Sequence, residues 1–270
     1  MKAPIKERIV VLRYKRLDVE AYRKICDMLK GFLLAKLSEL SFSEERINSP
    51  EVTVPVPTIG AQEPDWSKLK VSIDRQSRFW NAQHTRCVQF FRDYLTINCI
   101  VPSPSKPGSY SELKEFFVAL LPFLRENAKA FKILTAGIDY ENRLDDLHLQ
   151  AFLKDGGQRL ELQELFNCFR VGPRIDGADF VTPINQKTSW TSLPGTTPYA
   201  YRLTESIEVP ATKATDGWRV RVLLSASSAQ FPGLDSDSVQ DFFDSMHGVI
   251  DAGFHATFTE TALKEIGVSK

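Results

Sequence analysis

A period-two alternation of apolar and polar side chains constrains this chain more than any other feature. Leu95, Ile97, Cys99 and Val101 alternate with Thr96, Asn98 and Ile100, and Trp218, Val220, Val222 and Leu224 alternate with Arg219 and Arg221. Successive side chains of a strand point to opposite faces, so segments written this way belong to antiparallel sheet with one buried and one accessible face. Val71 and Ile73 begin a further strand and Cys87 to Phe91 form another, with Arg92 and Asp93 as the turn before Leu95. Strands are also expected at 132–140, 178–191, 198–209 and 217–229. The uninterrupted run Ile9 to Leu12 suits a strand buried on both faces. Pro50, Pro55, Pro57 and Pro64 accompany Val52, Val54 and Val56; proline removes ladder donors, so this stretch is an edge strand or an extended loop.

Helical spacing takes over between the strands. After Asp18, a natural N-cap, Tyr22, Ile25, Leu29, Phe32, Leu33, Leu37 and Leu40 recur at three- and four-residue steps. A break rich in Pro, Ser and Gly at 102–108 precedes a second helix bearing Leu113, Phe116, Phe117, Leu120, Leu121 and Leu124. Asp145 to Leu153 reads as a short helix closed by Gly156 and Gly157. A final helix, capped by Asp235 or Ser236, carries Val239, Phe242, Phe243, Met246, Val249, Ile250 and Phe254. Each half then reads strand, helix, three strands, helix. The expected fold is one α+β domain spanning 1–270, with pseudo-repeats 1–129 and 130–270 and long helices packed on one face of an antiparallel sheet.

Composition narrows the function classes. The 270 residues are 43% hydrophobic and 25% charged, ordinary values for a globular chain. Thirty-four basic residues balance 34 acidic ones, so no global field draws the chain to nucleic acid or an anionic membrane. The balance hides an asymmetry. Residues 1–36 hold ten Lys or Arg against four acids, and residues 233–270 hold seven acids against two lysines; pairing between the two segments is the favoured reading, a patch for a partner the other. Arg75, Arg78, Trp80 and Arg86 make a weak case for a nucleic-acid strand, which no recognised motif supports. The longest apolar stretch, Phe116 to Leu124, contains Pro122 and is about half the roughly 20 residues a membrane span needs. The N-terminus lacks the pattern of a signal peptide. Cys26, Cys87, Cys99 and Cys168 are scattered and read as free buried thiols of a reducing cytosol. A cytoplasmic protein is expected.

Motifs for chemistry are sparse. There is no phosphate loop, no G-x-G-x-x-G turn, no G-x-S-x-G elbow and no H-E-x-x-H helix. Ser225, Ser227 and Ser228 at a strand end read as a polar terminus. Asp244, His247, Asp251 and His255 form a polar constellation on the last helix; the last three, spaced four apart, share one broad flank, where two neighbours are able to share a metal or to act as a base and its orienting carboxylate. The two histidines, about 12 Å apart along the axis, cannot ligate one ion; the flank reads mainly as a solvated face. Asp139, Glu141, Asp145 and Asp146, with Asn142, Arg143 and His148 nearby, read as caps and ion pairs more readily than as acid–base carboxylates. No catalytic residue, metal site or cofactor is assigned.

Three stretches together resemble a known group. The hairpin from Arg86 to Phe91 with Tyr94 to Ile100, the signature Tyr140-Glu-Asn-Arg143, and the closing run from Met246 and His247 through Phe254 to Phe258 and Thr259 are similar to motifs of an uncharacterised, sporadically distributed prokaryotic family, patchy among bacteria and archaea. Met246 stands where that family usually has leucine, and the 50–65 and 156–177 segments do not follow its pattern. The resemblance implies no reaction. Its patchy occurrence is similar to that of mobile genes in antiviral defence. The resulting expectation is a non-enzymatic interaction protein, one component of an anti-phage defence system acting with a protein partner encoded nearby. The alternative is a small-molecule binder or enzyme with a pocket between sheet and helices. Tyr140, Asn142, Arg143, His247 and Asp251 are the candidate signature or binding residues. Homo-oligomerisation is left open.

Overall fold

A computed structural model describes residues 5–53, 70–101, 109–157, 159–167, 184–192, 198–210, 213–215 and 217–268. The prolines beyond Thr53, the 102–108 break, residues 178–183 and Cys168 lie outside the described residues, as does the Arg75 side chain. The elements follow in chain order: β1 (Ile5–Tyr14), α1 (Val19–Lys36), β2 (Ser43–Thr53), β3 (Lys70–Trp80), β4 (Arg86–Phe90), β5 (Tyr94–Ile100), α2 (Tyr110–Glu126), β6 (Ile133–Leu144), α3 (Asp146–Leu149), β7 (Leu153–Lys154), β8 (Arg159–Leu160), α4 (Leu162–Leu165), β9 (Ile184–Thr191), β10 (Arg202–Val209), β11 (Val220–Ser228), α5 (Val239–Thr257) and α6 (Glu260–Glu265). The fold is mixed α and β around a large antiparallel sheet.

Nine strands form that sheet in the order β2-β3-β4-β5-β1-β6-β11-β10-β9, and β7 pairs with β8 separately. The first and sixth strands, far apart in sequence, lie side by side at its centre. Register places Val10 opposite both Ile97 and Ile138, Leu12 opposite Leu95 and Ala136, and Tyr140 opposite Arg8 and Leu224. Directly opposed residues share a face, so these side chains make one continuous buried surface. Tyr22 of α1 stacks on Phe90 of β4 at 5.0 Å between ring centroids. From α2, Phe117 meets Phe243 of α5 edge-on at 4.7 Å. Asp18 caps α1 as expected, accepting from the Ala21 amide at 2.8 Å.

Several expectations change. β1 is not buried on both faces: Val10 and Leu12 are buried, but Ile9 and Val11, which alternate with them, are half-buried, because the second face of the central strands is uncovered enough to form a groove. Four strands, not three, separate α1 from α2. The additional strand is β2 at the sheet edge, where proline is tolerated and Pro50 stands opposite Ile73. The helix expected over 145–153 is helical only from Asp146 to Leu149, then tightens into a 3₁₀ turn. Neither Asp235 nor Ser236 caps α5, which starts after Ser238; the Ser236 hydroxyl instead accepts from the Ser238 amide at 3.2 Å. The closing run is broken. Phe258 bridges to Phe166 in extended conformation, and Thr259 caps α6, accepting from Ala262 at 3.1 Å.

Candidate functional site

From Ala136 to Leu144 the even-numbered residues of β6 face the helices and the odd-numbered ones face away, which separates the Tyr140–Arg143 signature into two environments. On the buried side the Tyr140 hydroxyl shares a 2.8 Å hydrogen bond with Nδ1 of His247 on α5. Tyr110, the first residue of α2, stacks on the His247 ring at 4.1 Å. Its hydroxyl donates to Asp244 at 2.9 Å, and Lys114 donates to the other oxygen of Asp244 at 2.6 Å. Arg8, 6% exposed, sets its guanidinium 5.4 Å from the centroid of the Tyr140 ring. Burial holds the His247 imidazole below its ordinary range; Asp251 and Asp244 oppose that shift, while the Arg8 cation adds to it. Burial also pushes the Tyr140 and Tyr110 hydroxyls up. A neutral imidazole bonded to a tightly protonated phenol suits positioning better than proton transfer near neutral pH.

The candidate residues therefore do not converge. Tyr140 and His247 meet; Asp251 is exposed and reaches them only through its charge. Asn142 is wholly buried, donating to the Val222 carbonyl at 3.3 Å, with its side-chain oxygen unpartnered. Arg143 lies on the other face and donates to Glu141 at 2.5 Å. Arg221 joins Glu141 at 3.2 Å. Burial raises the Glu141 carboxyl, but the two arginines outweigh it and hold the group below its ordinary value. Asp145 closes a capping box with His148, and Asp146 accepts from the Trp218 amide at 2.7 Å and pairs with Lys213. His255 keeps a buried Nδ1 without a partner and stays apart from His247. Among the described residues no group of three His, Cys, Asp or Glu side chains is placed to hold a metal ion.

Other candidates are taken up internally or divided between faces. Trp80 donates to Glu45 at 3.1 Å, and Arg86 bonds the Thr85 carbonyl and approaches Glu112. Arg78 and Trp80 share a face that Arg86 does not, because register sets Arg78 opposite Gln89 and Arg86 opposite Cys99. From the basic N-terminal segment, Lys30 pairs with Glu44; from the acidic C-terminal one, Asp244 pairs with Lys114. Neither pair joins the two ends. Cys26, Cys87 and Cys99 are free and buried, and burial raises the thiols of Cys87 and Cys99 to about 12.

Two grooves contain none of the five candidate residues. The first, about 420 Å³, runs between α5 and the β9–β11 end of the sheet. Trp190, Leu203, Leu224, Val249, Ala252 and Ala256 line it, with Glu205 and Thr257 at its base. Glu205 is 2% exposed and accepts a hydrogen bond from the Thr257 hydroxyl. Trp190 is 45% exposed on β9, the last strand of the sheet. Gly253 lets α5 approach, since a Cβ there would sit 2.9 Å from Leu203. The small residues Ala252, Gly253 and Ala256 are visible in the sequence, but their place beside Trp190 follows only from the sheet order. The second groove, about 370 Å³, lies on the opposite face and includes Asp139, Ser225 and Ser227. Ser225 stands directly opposite Asp139. No helix among the described residues is long and apolar enough to cross a membrane. Set against models of known protein families the chain matches none, and no curated protein is significantly similar to it.

Proposed function

We propose that the chain is a non-enzymatic interaction protein of the prokaryotic cytoplasm, one component of an antiviral defence system that acts with a second protein. The observation that carries the interaction role is Trp190. A large aromatic ring, 45% exposed, borders an apolar groove at the end of a sheet. Exposed aromatic anchors beside apolar pockets concentrate binding energy at interfaces. Among the described residues no strand pairs with the outer side of β9, which adds unpaired backbone groups for a partner strand. The defence setting rests on the resemblance of Tyr140–Arg143 and of the closing run to the sporadically distributed family. The fold belongs to the same proposal: a single unit of two diverged repeats with its long helices on one face. The central pairing of β1 with β6, flanked by β5 and β11, supports it.

Phage challenge tests this reading. Deleting the gene is expected to raise plating efficiency, and a Trp190→Ala copy is expected not to restore protection. Full protection by Trp190→Ala would overturn the assigned surface.

A further inference from the structure

We propose that the open face of the sheet carries a binding site for a small polyol phosphate, seated over Gly137 and Asp139 among Arg13, Lys187 and Arg202. This site lies across the sheet from the Trp190 groove, because Arg202 and Thr204 alternate with Leu203 and Glu205 along β10. It therefore goes beyond the partner-docking role, and each can fail without the other.

The site is assembled by register. Val11, Gly137, Ser227 and Arg202 form one row across β1, β6, β11 and β10, and Asp139, Ser225 and Thr204 form the next. Gly137 leaves the floor open where every other residue would raise it. A Cβ at this position would lie 2.8 Å from the Ala226 carbonyl oxygen and 3.3 Å from Ser227 Cβ, so the close approach of β6 to β11 requires glycine. The resulting hollow, about 370 Å³, is at the lower end of the range for small-molecule sites.

Charge specifies what fits. Arg13, held 5.5 Å from the centroid of the Tyr94 ring, Lys187 and Arg202 come from three different strands and line one hollow. Among the described residues Lys187 and Arg202 have no ion-pair partner. Three cations against one carboxylate leave a formal excess of two positive charges, which a phosphate monoester dianion neutralises. Asp139 supplies the carboxylate of the groove. Burial raises its carboxyl, and the Ser225 hydroxyl and the Arg13 charge act in the opposite direction. A lone carboxylate beside hydroxyls of Ser225, Ser227 and Thr204 is suited to the hydroxyl donors of a polyol. One carboxylate is too few for a divalent cation, and its place among the arginines disfavours a continuous phosphate backbone.

Calorimetric titration of the full chain with ribose 5-phosphate, ribose and inorganic phosphate tests the proposal. Ribose 5-phosphate is expected to bind saturably and about tenfold or more tighter than inorganic phosphate, with ribose weaker still. Arg202→Glu and Lys187→Glu, both at exposed positions, are each expected to weaken ribose 5-phosphate by about tenfold or more while the melting temperature stays within about 2 °C. Asp139→Asn is expected to remove the preference over inorganic phosphate. The site is overturned if none of the probes gives saturable heat or if both charge reversals leave affinity unchanged. The polyol assignment is overturned if ribose 5-phosphate binds no tighter than inorganic phosphate.

Discussion

The hydroxyl of Tyr140 and Nδ1 of His247 lie 2.8 Å apart, joining the central strand β6 to helix α5 across 107 residues of sequence. Tyr110 closes over the imidazole from α2, so one side chain ties together a strand and two helices. Asp244, bonded by Tyr110 and Lys114, completes the α2–α5 junction. Buried polar groups satisfied in this way fix how elements dock more than they raise total stability.

This junction makes stability depend on pH. The folded pKa of His247 lies below the ordinary 6.5, so between the two values the unfolded chain binds a proton that the folded chain does not. Its contribution is fully present above about pH 6.5 and is lost as pH falls through that window, with a slope of at most about 1.4 kcal/mol per pH unit. Urea midpoints of the wild type and of His247→Gln from pH 7.5 to 5 measure it. The wild type is expected to lose more stability than the variant on acidification; parallel curves would exclude the assignment to His247.

Arg8 is expected to be replaceable by an apolar side chain of similar length. It is buried, its Nε has no partner, and its charge disfavours the imidazolium form of His247. Exchanging a buried ion for a packed apolar group is often neutral or stabilising. Arg8→Met should keep the wild-type melting temperature or exceed it, and should move the His247 titration upward by NMR. Arg8→Ala should instead lose about 2–5 kcal/mol by leaving a cavity.

Local chemistry was legible wherever it depended on near neighbours in sequence. The Asp18 cap, the alternation in β11, the turn at Arg92 and Asp93 and the helical faces of α2 and α5 all follow from spacing, whereas Thr96 and Asn98 of β5 are buried together with its apolar side and α1 ends at Lys36, before Leu37 and Leu40. What was hidden depends on which strands become neighbours. Asp139 and Ser225 are 86 positions apart and meet only because β6 pairs with β11. Trp190 stands out only once β9 is known to end the sheet.

Two glycines should respond in opposite directions to the same substitution. Gly137→Ala forces a Cβ against the backbone of β11 and is expected to cost about 1–3 kcal/mol. Gly248 lies within α5 with open space around its would-be Cβ, so Gly248→Ala should stabilise by up to about 1 kcal/mol. Thermal denaturation of both variants checks the pair, and equal shifts would contradict the tight β6–β11 approach.

The most direct measurement is co-purification of the full chain with the products of its neighbouring genes, comparing the wild type with Trp190→Ala and with Ala256→Arg, an exposed change in the groove wall. The wild type is expected to form a stoichiometric complex with one of them, weakened about thirtyfold or more in both variants, the scale of an aromatic hot spot. A complex that persists unchanged in both variants, or a wild-type chain that binds no neighbour and turns over a metabolite alone, would contradict the account.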